Sequence, residues 1–221
     1  MYISQIDLEE FMSKYPEDGD TKPQGYCEAA EEYIRNYLRY DPEQKDYTTT
    51  VKGDDGNLAV LEAFPITQIV AFSVDGVEHD ITEIEVTDRN YIEFVDGSTF
   101  KKGCRYTISY KAGYPTIETE KIVYSDDGKT FYSTPALSKE VKIFGYLPEA
   151  TGEENEYILK KSTVPQIIKT TALQIASLFW ESAGGNLAVS STSFADTGSR
   201  VFNNFKADRF TEQIEKYKRN F

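Results

Sequence analysis

The chain is poor in the residues that carry most enzyme chemistry. Its 221 residues include two cysteines and one histidine. Cys27 and Cys104 form no Cys-x-x-Cys pair, which excludes the usual zinc and dithiol redox patterns. With no secretory leader either, both read as reduced thiols. His79 has no second His or Cys close by in sequence to complete a metal shell, so neither a ligand nor a general-base role is expected of it. It lies beside a predicted surface turn, where no Ser-His or Cys-His pairing is credible. Long apolar runs are missing too; none approaches the roughly 18–20 residues needed to cross a bilayer. The start, Met1-Tyr2-Ile3-Ser4-Gln5-Ile6-Asp7, lacks the basic and then apolar pattern of a signal peptide, so the chain is expected to be made and kept in a cytoplasm.

Positive charge is scarce. The formal net charge is −13. Residues 1–50 carry 12 acids and 5 bases, residues 51–162 carry 20 and 12, and residues 163–221 carry 5 and 7. An acidic protein repels phosphates instead of releasing their counterions, which excludes non-specific nucleic-acid binding as its main business. The basic C-terminal part is suited to a different partner from the acidic rest.

Local catalytic motifs are equally thin. Gly128-Lys129-Thr130 mimics the end of a phosphate-binding loop, but the required earlier glycine is Val123 and the context is a hairpin. Asp54-Asp55 and Asp126-Asp127 precede glycines as turn residues do, and lack the alternating acids and closing glutamate of a calcium loop. Pairing carboxylates by number alone in a chain with 37 acids identifies no acid–base pair. The sequence therefore reads as a non-enzyme with no cofactor and no metal.

What is present is periodicity. With 39% hydrophobic and 14% aromatic residues a packed core is feasible. Residues 5–14 fit a short amphipathic helix with Ile6, Leu8, Phe11 and Met12 inward, capped by Ser4 or Asp7 and stopped by Pro16. Residues 26–40 fit a second, with Tyr26, Ala30, Tyr33, Tyr37 and Tyr40 at helical spacing. From 46 to 114 the period is two, and Asp75-Gly76 and Asp96-Gly97 are strong hairpin signals, so an antiparallel meander of about five or six strands is expected. Residues 115–163 continue in this style. A hairpin is expected at Ser125-Asp126-Asp127-Gly128, and strands at 141–146 and 157–160 flank a polar acidic loop at 148–156. Residues 165–183 form the best helix, with Ile168, Ala172, Ile175, Ala176 and Phe179 on one face and Trp180 near its end, closed by Gly184-Gly185. A small, polar stretch (186–205) is punctuated by Phe194, Val201, Phe202 and Phe205. A last helix, 208–219, carries Phe210, Ile214 and Tyr217 on one face, with Lys216, Lys218 and Arg219 in its final turn, where cations suit the helix dipole. The expected class is α+β: N- and C-terminal helices forming a bundle, with a central antiparallel β meander and an inserted small β arm.

The order of these elements resembles a known family. Two helices lead into a meander carrying Phe64-Pro65-Ile66-Thr67-Gln68-Ile69 and Val74-Asp75-Gly76. A strand ends in Ser109-Tyr110-Lys111-Ala112-Gly113-Tyr114. A long helix opens at Val164-Pro165-Gln166-Ile167-Ile168 and holds Ala172-Leu173-Gln174-Ile175-Ala176-Ser177-Leu178-Phe179-Trp180-Glu181. Over residues 5–114 and 164–221 this resembles the head–tail connector (adaptor) proteins of tailed bacteriophages. The departures are the 115–163 segment and a longer C-terminal part.

The resemblance implies an adaptor core (1–114 and 164–221) with an inserted β arm (115–163). It implies a structural virion protein at the head–tail junction, made in the host cytoplasm. Such proteins form a homo-oligomeric ring, usually twelve-fold, between the portal and the next neck or tail protein. DNA passes through their channel without specific binding, and no membrane is involved. It makes Tyr33, Tyr37, Trp180, Phe194, Phe202, Phe205, Phe210, Ile214 and Tyr217, with Lys216, Lys218 and Arg219, candidate ring or portal contacts. Two alternatives stay open: a monomeric β-rich carbohydrate-binding module on a helical base, and a hydrolase with a cryptic acid pair.

Overall fold

The computed structural model describes residues 2–15, 22–88, 90–128, 130–137, 139–182, 191–194, 198–201 and 208–218. The fold is α+β. The chain divides into two compact units, one of Tyr40–Thr116 and one of Met1–Arg39 with Ile117–Phe221.

The 40–116 unit holds seven strands: β1 (Lys45–Lys52), β2 (Leu58–Val60), β3 (Ile66–Val74), β4 (Val77–His79), β5 (Ile84–Asp88), β6 (Tyr91–Phe94) and β7 (Arg105–Ala112). They form two antiparallel sheets, ordered β1-β7-β3-β4 and β2-β6-β5. The meander expected over 46–114 is thus two sheets, with the last strand lying between the first and third. Sequence alternation explains why β7 takes the centre. Tyr106, Ile108, Tyr110 and Ala112 are buried, while Arg105, Thr107, Ser109 and Lys111 point the other way. That one face joins Phe72, Ile92 and Phe100 in a single core. Its centre is aromatic. Phe100 meets Tyr106 edge-on with centroids 5.0 Å apart, and Phe94 lies 4.8 Å from Phe100. The buried Tyr110 hydroxyl is satisfied by the Ala63 N–H at 3.1 Å and by Thr49 Oγ1 at 3.2 Å, as a buried phenol requires.

Turn chemistry sets the corners. Asp75 and Gly76 both take positive φ (48° and 85°) and join β3 to β4 in the tight hairpin expected of them. Asp96-Gly97 forms a turn but joins no strand pair, because the chain runs on to bury Phe100. Gly113, after β7, has φ 102°, and a Cβ there would sit 2.3 Å from the Glu43 carbonyl oxygen. Its N–H donates to Pro65 O at 2.9 Å, while the Tyr114 N–H donates to Pro42 O at 2.8 Å. Three chain segments therefore converge on a position only glycine fits.

The other unit is built on α1 (Gln5–Met12), α2 (Lys22–Leu38) and α3 (Gln166–Ser182), each packed on the other two. Ser4 caps α1 in a capping box with Asp7. The buried stripe of α2 is Cys27, Ala30, Ile34 and Leu38. The tyrosines of that helix, Tyr26, Tyr33 and Tyr37, are half-buried at its margins, and Tyr40 lies beyond its end. Helix α3 buries Ile168, Ala172, Ile175 and Ala176 as its spacing predicts. Strands β8 (Thr116–Tyr124), β9 (Leu147–Ala150) and β10 (Glu156–Ser162) form a sheet ordered β8-β10-β9 around Val123, Phe131, Ile143 and Leu159. Two expectations for this stretch change. Residues 141–146 turn at Gly145 (φ 80°) instead of forming a strand. The expected loop at 148–156 instead supplies most of β9. The hairpin at 125–128 closes through a single bridge, Tyr124 to Tyr132. Strands β11 (Ser191–Phe194) and β12 (Gly198–Val201) pair with each other. Helix α4 (Asp208–Thr211) continues into a 3-10 turn (Glu212–Tyr217), and both pack on α3.

Candidate functional site

Several of the candidate contact residues meet within the helical unit. The Tyr37 hydroxyl donates to the Glu215 carboxylate. Lys218 Nζ lies 4.6 Å from the centroid of the same ring, and Lys216 Nζ 5.0 Å from that of Tyr217. Ile214 is fully buried. The C-terminal segment is therefore held against its own subunit by one apolar anchor and a charged, partly wet fringe. Phe210, Tyr217 and Tyr33 are half-buried. Trp180 is also half-buried, and its ring centroid lies 6.3 Å from that of Tyr26. Phe194 falls in β11. Phe202, Phe205 and Arg219 lie outside the described residues.

A second cluster in the same unit was not legible as a site. Asp7 is 3% exposed. Its carboxylate accepts from Ser4 N–H and Ser4 Oγ, both at 2.9 Å, and from Gly145 N–H at 2.7 Å. Glu31 on α2, also buried, accepts from the N–H groups of Tyr2 at 2.6 Å and Ile3 at 3.0 Å. Lys169 on α3 donates to Ser162 O at 2.7 Å. Burial pushes the Lys169 ammonium below its ordinary pKa, and the nearby Asp7 charge acts in the opposite direction. These groups use their charge to fasten backbone, the strong form of hydrogen bond. The Ser4-x-x-Asp7 spacing was a capping signal; nothing in sequence pointed Asp7 at residue 145.

The chemistry on offer is modest. Burial, reinforced by the charge of Glu31, pushes the Cys27 thiol up to about 12, so it is no thiolate nucleophile at neutral pH. His79 Nδ1 lies 3.1 Å from Glu83 at an exposed turn. Among the described residues no three His, Cys, Asp or Glu side chains gather as metal ligands. The doubled aspartates serve their own turns. Asp54 accepts from Gly56 N–H, and Asp127 accepts from Thr130 N–H and Ser125 Oγ. A cavity of about 320 Å³ beside α1 is lined by Glu9, Glu10, Asp127 and Glu140, with Lys142 3.8 Å from Glu10. Among the described residues no helix is long and apolar enough to cross a membrane. What the described residues bring together here are structural ties within the chain.

The fold itself recurs in known structures. The chain superposes on a chain from the neck of an empty GTA particle computed with C6 symmetry, with a TM-score of 0.53 and 13% identity, covering 98% of this chain and 89% of that one. It also superposes on a chain from the virion of a native gene transfer agent (GTA) particle, with a TM-score of 0.51 and 11% identity over the same shares. The likeness is one of fold across nearly the whole length. No family model matches the sequence, and no curated protein matches it.

Proposed function

We propose that this protein is a structural neck component of a phage-like particle, forming a homo-oligomeric ring that joins the portal to the tail and extends the DNA channel. The observation that carries this reading is the shared fold with a neck chain over 98% of this chain. The chemistry fits it. A net charge of −13 lets duplex DNA slide past instead of sticking. Half-buried aromatics such as Tyr33, Trp180 and Tyr217 suit contacts that are wet before assembly and dry after it. In this reading residues 1–114 and 164–221 act as the adaptor core. The 115–163 arm meets a neighbouring ring or tail component, and Lys216, Lys218 and Arg219 face the portal.

The test is negative-stain imaging of the purified chain alone and mixed with its portal. Rings, or portals bearing an added density layer, are expected. A chain that stays monomeric at all concentrations and leaves portals bare overturns the proposal.

A further inference from the structure

The edges of the sheets differ in how they are protected. Exposed edge strands invite pairing with another chain unless short length, charge, proline or a bulge prevents it. Strands β2 and β4 have three residues each. Strand β5 carries a register shift between Val86 and Asp88. Strand β9 contains Pro148, and β8 carries Glu118, Glu120 and Lys121. Strand β1 has none of these protections between its ends. It is eight residues long, pairs with β7 in unbroken register, and has no charge from Tyr47 to Val51. It lies at the edge of its sheet, with Thr48 and Thr50 exposed.

The chain also carries a strand pair in need of a sheet. Among the described residues β11 and β12 pair only with each other. A lone two-stranded hairpin is marginal in water. It sits within residues 183–207, an excursion between the end of α3 and the start of α4, which itself packs back on α3. The eight residues before the hairpin span at most about 28 Å.

We propose that the β11–β12 hairpin of one subunit adds to the β1 edge of the next copy of this chain, extending its four-stranded sheet by strand addition. Each subunit gives one hairpin and offers one edge. Such a contact is head-to-tail and closes into a ring only at a fixed rotation. The inference rests on the ring reading above.

The test uses the full chain with Cys104→Ser as background, since the Cys27 thiol is buried and unreactive. Thr48→Cys protein is mixed with Thr192→Cys protein, and in a parallel preparation with Ser193→Cys protein, then oxidised. An inter-chain disulfide at least ten-fold above that of either variant alone is expected, with a ladder of linked species from a double variant. Self-linking of Thr48→Cys protein alone, or a purely intramolecular disulfide in the double variant, overturns the proposal. Rings without the cross-link sink this inference and leave the ring reading standing. Cross-linked open chains without rings do the reverse, and unlinked monomers sink both. Replacing 191–201 by a Gly-Ser linker is the second arm: rings are expected to be lost while the 40–116 unit melts as before, and retained rings overturn the proposal.

Discussion

The two compact units are held together by different means. The 40–116 unit relies on apolar burial: one aromatic core lies on the inward face of alternating strands. The helical unit also buries apolar stripes, but its distant segments are fastened by buried charges. Asp7 reaches Gly145, Glu31 reaches Tyr2 and Ile3, and Lys169 reaches Ser162. Apolar burial is non-directional and tolerates adjustment, whereas a buried charge left without its partners costs the full desolvation of that group. The first unit should therefore weaken in proportion to volume removed, and the second should fail at particular bonds.

Substitutions can break this contrast, and the largest effect belongs to the 40–116 unit. Gly113→Ala places a Cβ 2.3 Å from the Glu43 oxygen at φ 102°, and should destabilise that unit by more than about 4 kcal/mol. A denaturant titration showing a loss under 1 kcal/mol would refute the convergence described at this glycine. Phe72→Ala removes a fully buried ring from the aromatic core, at about 3–5 kcal/mol. The near-ultraviolet circular dichroism of the unit should fall with it. Asp7→Ala removes the carboxylate half of the capping box, which accepts from Ser4, and leaves the Gly145 N–H without its acceptor, for about 2–4 kcal/mol in the helical unit. Hydrogen exchange at Gly145 should accelerate, and unchanged protection there would show that the tie is dispensable.

A pH experiment sharpens the same comparison. Unfolding returns the Cys27 thiol to its ordinary pKa of 9.0, while the folded chain holds it at about 12. The unfolded state loses this proton first as pH rises, so stability is fully present below about pH 9 and declines between pH 9 and 12. Cys27→Ala should flatten that part of the helical unit's stability profile without altering that of the 40–116 unit. The smallest effect is at the surface. Tyr37→Phe deletes the bond to Glu215 and should cost about 0.5–1 kcal/mol, read as faster proteolysis of the C-terminal segment.

Much of the fold was legible in sequence for a physical reason. Helix α3 announces itself because Ile168, Ala172, Ile175 and Ala176 repeat at 3.6 residues, and β3–β4 because Asp-Gly supplies two positive φ angles. The placement of β7 between β1 and β3 was not legible, since pairing Lys45 with Ala112 leaves no local mark. Residues 141–146 carry strand-like alternation, yet Gly145 bends them so that its N–H meets Asp7. On α2 the tyrosines of the expected stripe lie at its margins, and Cys27, Ile34 and Leu38 join Ala30 in its buried centre. Of the candidate contacts, Ile214 and Tyr37 are engaged within their own subunit, a distinction that residue type alone does not carry.

The helical unit is interrupted in sequence by the whole of the other one, and this orders events in time. During synthesis α1 and α2 leave the ribosome long before α3 exists. At typical translation rates of about 5–20 residues per second the gap is roughly 7–30 s. The 40–116 unit has all its strands before α3 is begun, while Ile34 and Leu38 wait for the helix that will cover them. A subunit is thus finished only when nearly all of its chain has been made, so the helical surface becomes competent at the end of translation. Such a schedule withholds the finished helical surface from partial chains.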